Sequence, residues 1–169
     1  MSSEFRADVT SKIVTFLRQI GIPVSAGEVD DGSFLPGIQV VAGGLVVDES
    51  KLKYPGDLLH EAGHLAVTPA HARSHLSGQV ETPDANPDVI ESAAMCWSYA
   101  ACVYLEIDPA VVFHEHGYHG RAQGLLLNFQ LGVFPGVHEL VSAEMTSASS
   151  AMNDPDRHSF PMMKKWLRS

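Results

Sequence analysis

The sequence has little positive charge, few cysteines and no long hydrophobic run. Its 169 residues include 11 Lys and Arg against 20 Asp and Glu, a net charge of −9 when the nine His are counted as neutral. This balance would repel a phosphate backbone, and no basic stripe reverses it, which argues against nucleic acid as a partner. A membrane-spanning helix needs about 18 consecutive apolar residues, and none occur, so we also expect no membrane partner.

The two cysteines and the N-terminal residues indicate a cytoplasmic protein. Cys96 and Cys102 lie six positions apart in a segment with helical character. Six helical residues span roughly 9 Å, beyond the Cα separation of about 7 Å that a disulfide tolerates, so we expect small buried thiols in a reducing compartment. Residues 1–12 carry charges of both signs and lack the apolar stretch of a signal peptide.

Hydrophobic periodicity predicts an α+β fold that is mainly helical. Two β-rich runs, Ile38–Val41 and Leu45–Val47, flank Ala42-Gly43-Gly44 and are typical of a hairpin. Helical spacing predicts helices over residues 4–20, 57–67 and 88–105, with further helical runs near 121–131 and 136–145. Residues 68–86 lack periodicity, as functional loops often do.

The run His60-Glu61-Ala62-Gly63-His64 has the spacing of a metal-binding helix. Positions i and i+4 share a helical face, so both imidazoles can bind one zinc ion. Glu61 can then act as a general base on a water at that ion without ligating it. The surrounding Leu, Ala and Val residues predict a buried helix, in which unpaired polar side chains would be unfavourable. Zn²⁺ is therefore the expected cofactor.

A catalytic zinc site needs a third protein ligand and an open fourth position. His71 is one residue too late for the H-E-x-x-H-x-x-G-x-x-H pattern of metzincins, and Val67 stands where that pattern has Gly. Glu91 is an acidic residue on an otherwise apolar helical face and is the better candidate. A first-turn Glu favoured by the helix dipole is the alternative interpretation, and the rival ligands are Glu81, Asp84 and Asp88.

The order of hairpin, H-E-x-x-H helix, loop and Glu-containing helix resembles the ImmA/IrrE-type metallopeptidases, which are zincins of the gluzincin kind. The similarity covers roughly Gly37 to Pro109 and rests on the metal helix and on a Glu-x-x-Ala-x-x-aromatic-x-x-Ala segment that begins at Glu91. It implies a zincin-like metal core at about 37–109. Chain length and the helical runs that follow indicate one zincin-like domain over residues 1–169, with a helical part at 110–169. The resemblance also implies that His60, His64 and Glu91 are ligands and that Glu61 is the base.

The sequence departs from related patterns at Met95. The family usually has Asn after Ala94, and thermolysin-like enzymes carry an Asp four residues after the Glu ligand, but Met95 occupies both places. A partner that orients the ligand histidines must then come from elsewhere, and Asp57 or a backbone carbonyl is the expected source.

A loop rich in polar side chains supplies candidates for stabilising an oxyanion. We expect this role for one of His116, Tyr118 and His119, with Arg121 and Tyr99 as further candidates. A second metal site formed by His114, His116 and His119 is an alternative. In zincins an extended substrate commonly lies along a strand edge, and the resemblance assigns that edge to the hairpin.

Two functional hypotheses follow. The first is a cytoplasmic zinc metallopeptidase, a hydrolase that cleaves a peptide or protein substrate. The second is a zinc-binding module that recognises a regulatory protein partner and cuts nothing, or cuts only when that partner arrives. A fourth protein ligand such as His71 or His116 would favour the second hypothesis.

Overall fold

The computed structural model describes residues 8–78, 86–148 and 159–169 of the chain. These residues form a mixed α+β fold that is mainly helical, as predicted, with a hairpin before the helix that carries the motif. The elements in chain order are α1 (Asp8–Ile20), β1 (Val24–Ala26), β2 (Ile38–Val41), β3 (Gly44–Val47), α2 (Asp57–Val67), α3 (Ala70–Arg73), α4 (Pro87–Leu105), α5 (Ala122–Gln130) and α6 (Val137–Ser142). Short 3₁₀ turns cover Pro109–Val111 and Tyr118–Gly120.

The sheet has three strands in the order β1-β3-β2. β2 and β3 pair antiparallel across the turn Ala42-Gly43, whose residues both have positive φ (47° and 76°), as a two-residue hairpin turn requires. β1 pairs parallel to β3 and was not predicted. Its three residues are too few to show a periodic pattern.

Helices α2 and α4 form the centre of the molecule and pack closely on each other. α4 begins at Pro87, where the Asn86 side chain accepts a hydrogen bond from the backbone of Asp88 at 3.0 Å, as its sequence predicts. The Trp97 side chain is fully buried in α4. The two helices approach closely at Gly63, where a Cβ would lie only 2.8 Å from the Ala94 carbonyl oxygen. This close packing brings Glu91 of α4 near the histidines of α2.

The last described residues support the C-terminal end of α2. The backbone N–H of Arg168 donates to the Ala66 carbonyl at 2.9 Å, and the Arg73 guanidinium donates to the carbonyls of Leu65 and Thr68. These donors satisfy carbonyl groups that a helix end leaves unpaired.

The predicted helical part over residues 110–169 is only partly correct, because residues 143–148 and 159–169 contain no helix.

Two further expectations concern the cysteines and membrane-spanning helices. Cys96 and Cys102 are both buried free thiols, as predicted. Among the described residues, no helix combines the length and the apolar character that crossing a membrane would need.

Candidate metal centre

The motif lies in the middle of α2, with its polar side chains on one side of a helix that is otherwise buried. Leu58, Leu59 and Leu65 are completely buried and fix the rotation of the helix. The side chains of His60 and His64 keep 16% and 12% of their surface exposed, so both remain accessible to an ion. Their Nε2 atoms lie 3.2 Å apart. The i, i+4 spacing thus brings both imidazoles to one point, as the sequence predicts.

Glu91 completes a triangle of donor atoms with the two histidines. Its Oε2 lies 3.0 Å from the Nε2 of His64 and 3.6 Å from the Nε2 of His60. Zinc bonds of about 2.0–2.1 Å in tetrahedral geometry place neighbouring ligand atoms about 3.3 Å apart. The three observed separations lie on either side of that value, so the donor set fits one face of a zinc tetrahedron.

The rival candidates Asp88 and His71 do not join this group. Among the described residues, His60, His64 and Glu91 are the group of three whose ligand atoms lie close enough together to hold an ion. Asp88 is exposed at the start of α4 and His71 is exposed on α3. Glu81 and Asp84 lie outside the described residues. The proposed site is therefore the one implied by the sequence.

Burial shifts the protonation of two side chains in the motif. Desolvation lowers the pKa of His60 to about 4, helped by the nearby charge of His64 and opposed by Glu91. Desolvation also raises the pKa of Glu61, which is 8% exposed, to about 7. Burial raises the pKa of Glu91, but the hydrogen bond from His64 and the charges of both histidines outweigh it and leave that pKa below its usual value. A neutral His60 and an ionised Glu91 are the forms that bind a metal.

Tyr118 contacts His60 at Nδ1, the ring nitrogen other than the one that Glu91 approaches. Its hydroxyl lies 3.0 Å from Nδ1 of His60, and the two rings meet edge to face at 5.5 Å. Desolvation, reinforced by surrounding carboxylates, raises the pKa of Tyr118 far above its usual value, so the phenol stays neutral. The sequence named Tyr118 as one of several candidate oxyanion stabilisers, and the structure places its hydroxyl against the candidate ligand His60.

Asp57 was expected to orient His60 or His64. This expectation is wrong, because the Asp57 carboxylate pairs with another histidine. Its carboxylate instead accepts a hydrogen bond from Nε2 of His114 at 2.9 Å. The His114 ring stacks on Tyr54 with centroids 4.0 Å apart. His114 was considered only as a ligand of a second metal site. Its pairing with Asp57 joins residues 57 positions apart, which no local pattern reveals.

Three of the other candidates, His116, Arg121 and Tyr99, are not among the residues grouped around the proposed site. His116 is exposed and lies against Tyr54 at 5.7 Å between ring centroids, and Arg121 is also exposed. Tyr99 stacks on Phe129 at 4.6 Å within an aromatic cluster. The backbone of His119 lies in the 3₁₀ turn, while its side chain is outside the described part. The described residues contain no second group of three ligands.

The hairpin edge expected to hold substrate is largely occupied by the chain itself. On the side of β2 that faces away from β3, Ser33 donates to the Ile38 carbonyl at 2.6 Å, and the Ile38 N–H donates to Leu35 at 3.2 Å. Gly78 donates to the Val40 carbonyl at 2.9 Å. An extended peptide would have to displace these partners before it could pair with β2.

Comparison of the chain with protein-family models, with curated proteins and with solved structures finds no match. The site therefore has to be interpreted from its own geometry and from its motif.

Proposed function

We propose that the chain is a zinc-dependent hydrolase of peptide bonds, a metallopeptidase of the gluzincin kind. The observation that carries the proposal is the triangle of donor atoms from His60, His64 and Glu91, with Glu61 beside it in the motif. Two imidazoles and one carboxylate are the ligand set of catalytic zinc sites that leave a position open for water or substrate. The resemblance to ImmA/IrrE-type metallopeptidases, drawn from the metal helix and the segment that begins at Glu91, agrees with this choice.

The separate roles of zinc and of Glu61 follow from the positions and charges of the side chains. Zinc, when bound, supplies Lewis acidity that acidifies water and polarises a carbonyl oxygen. Glu61 follows the first ligand directly and is not part of the donor triangle. Its carboxylate takes a proton from the attacking water and passes it to the leaving amine.

The test of this mechanism is the Glu61→Gln variant of the full chain. The amide keeps the size of the side chain but cannot take a proton, so we expect normal zinc content and no peptide hydrolysis. Hydrolysis is measured by mass spectrometry on an unbiased peptide library, with zinc-loaded wild type as the reference. Glu28→Gln, at an exposed position, is the matched control and should cleave like wild type. Retained cleavage by Glu61→Gln would contradict the mechanism.

A zinc-binding module that is non-catalytic, or gated by a regulatory protein partner, is the second candidate. It is favoured by the covered edge of β2, which an extended peptide could not reach without displacing the chain's own hydrogen bonds. Zinc-loaded wild type that cleaves no member of the library would favour the module.

We also propose that the protein works in the cytoplasm. Burial raises the pKa of Cys96 and of Cys102 to about 12, which keeps both as unreactive thiols. Free thiols of this kind are typical of a reducing compartment.

A further inference from the structure

The loop that follows Phe113 is attached to the metal helix at two points. At the first, His114 pairs with Asp57 at 2.9 Å, and their side chains keep only 14% and 15% of their surface exposed. At the second, the Tyr118 hydroxyl meets Nδ1 of His60 at 3.0 Å. Asp57 and His60 are three residues apart on α2, so the two attachments lie about one helical turn from each other. We call residues 114–118 the clamp loop.

The backbone of Tyr118 indicates that the second attachment is held in place by its surroundings. Tyr118 has φ of 58°, in the left-handed region that bulky residues rarely adopt. Such a conformation persists where neighbouring contacts determine it, and it is most common at functional sites. The Tyr118 ring also packs against Phe113, with centroids 5.3 Å apart. The chain thus adopts an unfavourable backbone conformation at the residue that reaches the metal ligand.

We propose that Tyr118 is a positioning residue for zinc and that the Asp57–His114 pair holds the clamp loop so that Tyr118 can act. The inference rests on the proposed zinc site. When Nε2 of His60 binds a metal, the ring proton is on Nδ1. The Nδ1–H group then donates a hydrogen bond to the Tyr118 oxygen. This bond fixes both the tautomer and the ring orientation of His60, as second partners of metal-binding histidines generally do. Nδ1 of His64 is buried without such a partner among the described residues.

The first test is the zinc affinity of Tyr118→Phe, which removes the hydroxyl and keeps the ring. Loss of such a partner weakens metal binding roughly 10- to 100-fold, and we expect a rise of that size in the zinc Kd, measured by competition with a chromophoric chelator. Tyr104→Phe is the matched control, since Tyr104 is 63% exposed on α4, and it should bind zinc like wild type. Thermal melting of the metal-free proteins shows whether both variants fold.

A second readout reports on His60 itself. In zinc-loaded wild type we expect a slowly exchanging Nδ1–H resonance of His60 in the proton NMR spectrum, and we expect its protection to be lost in Tyr118→Phe. General loosening of the fold would not remove this one signal selectively. The protection should persist in Tyr104→Phe.

The role of the Asp57–His114 pair is tested by a double-mutant cycle. Asp57→Ala should also weaken zinc binding, because it releases the clamp loop. If the pair acts through Tyr118, Asp57→Ala should change the zinc Kd less than twofold when Tyr118 is already Phe. Full and additive effects of the two substitutions would overturn this coupling.

The outcomes separate this inference from the proposed function. Wild type that binds no zinc would overturn both. If wild type and Tyr118→Phe bind zinc equally well and the His60 Nδ1–H stays protected in the variant, the role of Tyr118 is overturned. The proposed zinc site is then unaffected.

Discussion

The close approach of α2 and α4 at Gly63 makes a sharp prediction for the Gly63→Ala variant. A Cβ at this position would lie 2.8 Å from the Ala94 carbonyl oxygen and 3.2 Å from the Ala94 Cα. Ordinary contacts begin at 3.4 Å, so the helices have to separate by about 0.6 Å or distort locally. Because backbone atoms of α4 form the obstacle, no side-chain rotation can relieve the contact.

The size of the effect follows from two opposing contributions. Overpacking a close-packed core costs about 1–3 kcal/mol, while replacing Gly by Ala inside a helix stabilises it by about 1 kcal/mol. We therefore expect a net loss of about 1 kcal/mol in the free energy of unfolding, equivalent to a fall of roughly 2–4 °C in Tm for a chain of this size.

Zinc binding should respond more strongly than stability. The proposed ligands His60 and His64 are on one of the two helices and Glu91 is on the other, so a separation of the helices opens the donor triangle. Metal sites tolerate ligand displacements of only about 0.2 Å. We expect about a tenfold weaker zinc Kd, or about 1.4 kcal/mol.

The assays are urea unfolding of the metal-free protein and zinc titration against a chelator. Gly124→Ala is the control, because it lies in α5 and a Cβ there meets nothing within 4 Å. It should be more stable than wild type and bind zinc normally. If Gly63→Ala behaved like Gly124→Ala in both assays, the argument that close helix packing sets the site would be refuted.

Two other predictions concern charge and the end of α2. Burial raises the pKa of Glu61 in the folded protein to about 7, above its usual value of 4.5. Folding therefore retains the proton of Glu61, and the free energy of unfolding falls as the pH rises between these values. His60 has the opposite sign, because burial lowers its pKa to about 4, and the free energy of unfolding falls as the pH drops from 6.5 to about 4. Metal-free Glu61→Gln should therefore gain roughly 3 kcal/mol relative to wild type between pH 4.5 and pH 8 in urea unfolding, and parallel pH curves would contradict the burial of this carboxyl. Arg73→Ala should lose about 2–3 kcal/mol of unfolding free energy, because the charged donor to the carbonyls of Leu65 and Thr68 is removed. Arg73→Lys lacks the planar guanidinium that donates to several carbonyls at once, and it should recover less than half of that loss. The capping role would be refuted if Arg73→Ala were as stable as the exposed control Arg121→Ala.

The parts of the fold that sequence predicted are those with local signals. The glycines at 43 and 44 mark the hairpin turn, which forms at Ala42-Gly43 with positive φ at both residues, and Asn86 with Pro87 marks the start of α4. The predicted helices near 121–131 and 136–145 form as α5 and α6 with shorter bounds. Each depends on neighbours within a few residues, which periodicity and capping rules describe well.

The contacts that sequence missed join residues far apart in the chain. The hydroxyl of Tyr118 reaches His60 across 58 positions, and His114 reaches Asp57 across 57. Residues 159–169 pack against α2 and α4 without any helical pattern, and the indole of Trp97 donates to the Trp166 carbonyl at 2.9 Å. Sequence could name these polar and aromatic residues as candidates, but only the packing of the folded chain decides which of them meet.

The zinc content of the purified protein tests the central claim most directly. Wild type and Glu91→Ala are dialysed side by side, and bound metal is measured by elemental mass spectrometry, with Glu28→Ala at an exposed position as the control. The donor triangle predicts one zinc per chain in wild type and in the control, and loss of most of that zinc in Glu91→Ala, because two histidines alone leave the ion incompletely held. Undiminished zinc in Glu91→Ala, or none in wild type, would contradict the site.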